Sequence, residues 1–97
     1  MKQDTVLQLL KQKNTEMERQ FGVKSLLLFG SVARDEATPA SDVDLLVEFD
    51  RPAGLFTLFS LQDELEALLG CPVDLGTPDS LKPRLRSRVL AEAVYVA

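Results

Sequence analysis

Residues 24–49 read KSLLLFGSVARDEATPASDVDLLVEF, and the fold follows from how its two apolar stretches are punctuated. Lys24 to Phe29 is a short apolar run closed by Gly30, the pattern of a buried strand that ends in a tight turn. Ser31 to Glu36 suits a short helix with Ser31 as its N-cap. Thr38-Pro39-Ala40-Ser41 reads as a turn. Asp42 to Phe49 then alternates: Val43, Leu45, Val47 and Phe49 face one way, and Asp42, Asp44, Leu46 and Glu48 the other. That is a strand with one face on a core.

Working outward, Val6, Leu9, Leu10, Met17 and Phe21 fall at helical spacing from Asp4 to about Gln20, and Gly22 supplies a stop. On the other side, Asp50-Arg51-Pro52-Ala53-Gly54 is a turn. Leu55 to Leu69 carries Leu58, Leu61, Leu65, Leu68 and Leu69 at helical spacing, closed by Gly70 and Pro72. Val73-Asp74-Leu75 is a short strand ending at Gly76. Asp79 or Ser80 can cap a last helix bearing Leu81, Leu85, Val89 and Ala93, with Pro83 tolerated in its first turn. The expected architecture is α+β: two layers, a three-stranded mixed sheet with helices packed on one side, in the order α-β-α-β-α-β-α. A chain of 97 residues suits one domain (1–97) and one modest core.

Composition narrows the chemistry. The net charge of −4 argues against non-specific nucleic-acid binding, which needs surplus Lys and Arg to displace counterions. No apolar stretch approaches the roughly 20 residues of a membrane span, and the N-terminus lacks the apolar core of a secretory signal. A single cysteine, Cys71, forms no internal disulfide and is expected to act as a small buried hydrophobe; a cytoplasmic location follows as the expectation. Histidine is absent, which removes the commonest general base and zinc ligand. Chemistry must rest on carboxylates, hydroxyls, Lys and Arg.

Asp42 and Asp44 lie two apart on a strand, on one face, with Cα atoms about 7 Å apart. Adjacent carboxylates repel, and burying their charge is costly unless a cation sits between them. Mg²⁺ is the natural candidate, because it prefers oxygen ligands and commonly joins one or two carboxylates to substrate phosphates. A third acid, Asp74, interrupts Val73 and Leu75 and points away from the core they enter. Three such acids suit the metal pair, about 3.5–4 Å apart, used for in-line phosphoryl or nucleotidyl transfer. Gly30-Ser31 adds a phosphate-binding element: the glycine lets backbone approach closely, and the helix start behind it offers unpaired N–H groups. Arg34, one turn later, either reaches a phosphate or ties the loop down. Glu48, about 20 Å beyond Asp42 along the strand, is too distant to join.

Geometry links these elements. Gly30 ends its strand whereas Asp42 begins its own, so the two strands must run antiparallel to meet one substrate. Asp74 lies near the start of its strand, as Asp42 does, so the second and third strands should be parallel. The helix over 55–69 then makes the crossover, with right-handed sense expected.

Gly30-Ser31, ten further residues and then Asp42-Val43-Asp44 resemble the signature of the polymerase-beta-like nucleotidyltransferase superfamily. The fuller string GSVARDEATPASDVDLLVEF, together with the closing VDLGTPDSLKPRLRSRVLAEAVYV, resembles its minimal nucleotidyltransferase branch. The resemblance implies that Asp42 and Asp44 bind both catalytic metals, that Asp74 is a third ligand helping to activate the attacking hydroxyl, and that Gly30 and Ser31 hold the triphosphate. It further implies an ATP-using, two-Mg²⁺ antitoxin paired with a HEPN-domain ribonuclease toxin, transferring AMP to a protein hydroxyl such as a tyrosine of that toxin. The alternative is an antitoxin that neutralises its toxin by stoichiometric binding alone.

Several residues carry two readings. Lys82, Arg84, Arg86 and Arg88 near the last helix form a solvated basic face or contact phosphate or partner; Lys82 is the choice for the nucleotide. Leu55, Phe56 and Phe59 exceed what one core-facing stripe needs, so they either fill the core or meet a partner. Tyr95 is expected to pack.

Overall fold

A computed structural model describes residues 2–38 and 40–96; Pro39, within the expected Thr38–Ser41 turn, lies outside the described residues. The N-terminal apolar stripe forms two helices rather than one, α1 (Gln3–Gln12) and α2 (Asn14–Phe21). The break falls at Lys13, whose N–H bonds back to Leu10 at 3.2 Å in a tightened turn. Strand β1 (Val23–Phe29) runs straight into α3 (Gly30–Ala33). Here the expectation is corrected: the helix is a single turn that starts at Gly30, so Ser31 lies inside it and is not its cap. Strand β2 (Val43–Phe49) follows, then α4 (Leu55–Leu69) and β3 (Val73–Gly76). A 3-10 turn occupies Pro78–Ser80, and α5 (Pro83–Glu92) begins at its proline with Lys82 as its N-cap, two or three residues beyond the expected Ser80 or Asp79. The pyrrolidine's fixed φ and missing N–H suit that first position.

The sheet has four strands in the order β3-β2-β1-β4 rather than three. The addition is β4 (Val94–Tyr95), which pairs antiparallel with β1 through Leu27↔Tyr95 and Leu28↔Val94. It draws Val96 into the core but leaves Tyr95 64% exposed, so Tyr95 is not the packing residue expected. The two inferred directions hold: β1 and β2 are antiparallel, and β2 and β3 are parallel with α4 as their connection.

The alternation in β2 explains the layering. Val43, Leu45 and Val47 are buried with Leu26 and Leu28 of β1, and Val6, Leu10, Met17, Leu61, Leu65 and Leu69 of the helices close over them. No polar or charged residue is buried in that core among the described residues. Cys71 is half-buried and packs against its edge. Leu85 on α5 remains exposed, so the apolar stripe expected of the last helix does not enter the core. Among the described residues, no helix is long and apolar enough to cross a membrane.

Candidate active site

Register pairing puts the chemistry on the sheet face opposite the core. Phe29↔Asp44 and Asp44↔Asp74 are direct cross-strand pairs, so Asp44 and Asp74 stand side by side at the starts of neighbouring parallel strands. Residues directly opposite share a face. Asp42 lies one residue before β2, not within it; Val43 separates it from Asp44, and the Val43 N–H donates to the Pro72 carbonyl at 3.0 Å. Asp42 and Asp74 are exposed and Asp44 is half-buried.

Electrostatics mark Asp44 as the centre of this group. Burial raises its carboxyl above the ordinary 3.8, and the charges of Asp74 and then Asp42 push it the same way, with Arg34 pulling weakly back. Among the described residues, none of the three carboxylates makes a hydrogen bond or salt bridge with another side chain. Repelling, unpaired carboxylates of this kind are relieved by a divalent cation. No three acids form a ready-made cage among the described residues. Mg²⁺ does not need one, because substrate phosphates and waters commonly complete its octahedron. The all-oxygen donor set fits that ion.

Gly30 is fixed here by two independent demands. Its φ is +75°, in the left-handed region, and a Cβ built on it would collide with the Asp44 carboxylate. The strand-to-helix junction and the central acid are thus in van der Waals contact, an approach only glycine permits. Ser31 follows within α3, half-buried, its carbonyl accepting from Glu36 N–H at 2.8 Å.

Arg34 is drawn into two ion pairs at the protein surface. Its guanidinium pairs with Glu36 and with Glu92 at the end of α5, each at 3.2 Å, so it is engaged on its own loop and α5 rather than turned free toward a phosphate. Lys82 is exposed at the N-cap of α5, where its carbonyl accepts from Leu85 and Arg86. Its neighbour Arg86 is half-buried; Nη2 donates to Leu81 O at 3.5 Å, while Nε is buried with no partner among the described residues.

Two side chains the sequence reading passed over support Asp74. Gln62 Nε2 donates to Val73 O at 2.7 Å, and Val73 N donates to Glu66 Oε2 at 2.9 Å. The signal available was their spacing, one helical turn apart beside the buried Leu61-Leu65-Leu69 stripe. A cleft of about 530 Å³ opens next to Asp74, bordered by Phe49, Leu55, Leu58, Leu75 and Ser80. Leu55 also belongs to an exposed apolar patch on the first turns of α4. There Phe56 is 86%, Leu55 69% and Phe59 57% exposed, so these three do not fill the core.

Comparison with known proteins agrees with this geometry. Residues 10–96 match the model of the nucleotidyltransferase domain family. The protein adenylyltransferase MntA of Thermococcus cleftensis is 46% identical over 81 residues, covering 84% of this chain and 82% of that one. A solved structure assigned as a minimal nucleotidyltransferase superposes with a TM-score of 0.81 at 39% identity, over 97% of this chain and 95% of that one. The fold is shared more distantly with a complex of Shewanella oneidensis tri-AMPylated HEPN toxin and MNT antitoxin (TM-score 0.66, 22% identity, 94% and 71% coverage). With the Gly-Ser turn, the paired acids and the mixed sheet in place, the chain belongs to the nucleotidyltransferase domain family, among its minimal members.

Proposed function

We propose that this protein transfers AMP from ATP to a hydroxyl of a partner protein, a tyrosine of a HEPN ribonuclease toxin, and so acts as the antitoxin of a toxin–antitoxin pair. The observation that carries the reading is the juxtaposition of Asp44 and Asp74 in cross-strand register, with Gly30 pressed against Asp44. The similarity to the Thermococcus adenylyltransferase and the fold shared with the AMPylated toxin complex support the reaction class and the partner.

Asp42, Asp44 and Asp74 would hold two Mg²⁺ ions, whose chemistry is to lower the pKa of the attacking hydroxyl and neutralise the departing pyrophosphate. Gly30 and Ser31 bind the triphosphate through backbone N–H groups and the serine hydroxyl, made accessible by the missing Cβ. Lys82 contacts a phosphate from the N-cap of α5. Asp74 accepts the acceptor's proton; the tyrosine oxygen bonds to the α-phosphorus, the bond to the bridging oxygen breaks, and pyrophosphate leaves. Arg34 holds the α3 turn to α5 while this happens.

The acceptor reaches the acids from the partner side. The patch of Leu55, Phe56 and Phe59 adjoins the cleft at Asp74 through Leu55 itself. A partner covering that patch delivers a side chain into the cleft beside the residue proposed to take its proton. The whole machinery lies within one domain, and Mg²⁺ dependence is part of the proposal.

The test uses ATP radiolabelled at either the α or the γ phosphate, with the purified HEPN toxin and Mg²⁺. Label from the α position alone, lost with EDTA, is the expected result. Label from the γ position means phosphoryl transfer and overturns the reading. A tight complex with no label from either position leaves only stoichiometric neutralisation.

A further inference from the structure

Asp74 has the least support of the three acids when its side chain alone is considered. It is exposed, forms no hydrogen bond among the described residues, and sits on a four-residue strand at the edge of the sheet. An edge strand of that length has little to hold its register, since half its backbone groups point away from the only neighbouring strand. Small slips of β3 would carry Asp74 away from Asp44.

The backbone of β3 is nevertheless fixed on both sides. On the inner side Val43 N donates to Pro72 O at 3.0 Å, and Asp44 is the register partner of Asp74. Strand alternation then turns the N–H and C=O of Val73 outward. Both are taken by α4: Gln62 donates to the carbonyl at 2.7 Å, and the carboxylate of Glu66 accepts from the amide at 2.9 Å. A leucine-only contact covers a strand without fixing its position along the helix. A donor and an acceptor one turn apart match only one residue's C=O and N–H, and the bond to the carboxylate is the stronger charge-assisted kind.

We infer that Gln62 and Glu66 are positioning residues, a two-point clamp on Val73 that fixes Asp74 opposite Asp44 so that both carboxylates serve one divalent cation. This rests on the reading of Asp74 as a metal ligand. The clamp uses buried leucines for adhesion and two flanking polar groups for register.

The test compares Glu66→Ala, Glu66→Gln, Gln62→Ala and Gln62→Glu with the wild type. Three readouts are used: hydrogen exchange at the Val73 amide, Mn²⁺ titration by electron paramagnetic resonance with a non-hydrolysable ATP analogue, and steady-state AMP transfer. Glu66→Gln keeps an acceptor oxygen and should rescue what Glu66→Ala loses. Gln62→Glu sets acceptor against carbonyl and should be the worse of its pair. In Glu66→Ala and Gln62→Glu, kcat should fall about 10- to 100-fold, KM for ATP should stay within about twofold, and half-saturating Mn²⁺ should rise. Faster exchange at Val73 should accompany the loss.

Wild-type kcat and Mn²⁺ affinity in folded Glu66→Ala overturn the clamp, as does a Glu66→Gln protein as defective as Glu66→Ala. Should Glu66→Ala fail to fold, Gln62→Ala carries the same comparison. A wild-type protein that binds Mn²⁺ but transfers no AMP refutes the functional proposal alone, and the Mn²⁺ series still decides the clamp. A wild type that binds no Mn²⁺ overturns both.

Discussion

Replacing Gly30 with alanine tests whether the Gly-Ser turn and the central acid form one device. Two costs can be separated. The first is backbone strain: at φ +75° an alanine pays about 1–2 kcal/mol relative to glycine. The second is collision. A Cβ at Gly30 would fall 3.0 Å from Asp44 Cγ and 3.2 Å from Asp44 Cβ, with Oδ2 closer still. Relief to an ordinary contact moves the carboxylate by roughly 1 Å, a displacement that can cost about 100-fold in rate. Gly70 provides the control, since it has φ +70° but no atom within 4 Å of a built Cβ. Gly70→Ala should therefore lose about 4–8 °C in Tm per kcal/mol and keep its activity. Gly30→Ala should lose at least as much Tm and about 100-fold in kcat. The assay is calorimetry in parallel with AMP transfer below both Tm values. Equal activity of the two variants would refute the reasoning.

Asp44→Asn should be more stable than the wild type near neutral pH, by up to about 1 kcal/mol after screening. Because the folded carboxyl titrates above 3.8, the stability tied to its protonated form is full below that value and is lost as pH rises through the raised one. The difference in Tm should shrink on acidification; a variant less stable than the wild type at pH 7 contradicts the repulsion. Phe56→Asp should leave stability within about ±0.5 kcal/mol of the wild type, since the ring is 86% exposed, while abolishing the toxin complex on gel filtration. An intact complex removes the α4 patch from the partner surface. Arg34→Ala should change Tm little, as expected for exposed ion pairs, while hydrogen exchange quickens at the end of α5 where Glu92 loses its partner; unchanged exchange there rules out the tether.

The sheet's central directions were legible in the sequence because function constrains them. Gly30 at a strand's end and Asp42 at another's start can share a substrate only across an antiparallel pair, and Asp74 demands a parallel third strand. What escaped depends on tertiary contact. Strand β4 is two residues long and exists through its pairing with β1, too short to show alternation. The break at Lys13 carries no glycine or proline to announce it. Polar Gln62 and Glu66 look like solvated helix positions until the edge strand lies beside them. Arg34 held two readings on spacing alone, and its ion pair with Glu92, distant in sequence, forms only in the fold.

The central claim is AMP transfer through the three acids. Its most direct measurement is the intact mass of the HEPN toxin after incubation with this protein, ATP and Mg²⁺, beside the Asp42→Asn and Asp44→Asn variants. A toxin heavier by one or more AMP units with the wild type, and unchanged in mass with either variant, is the predicted result. A toxin of unchanged mass in a stable complex with the wild type, or modified equally by the variants, contradicts the account.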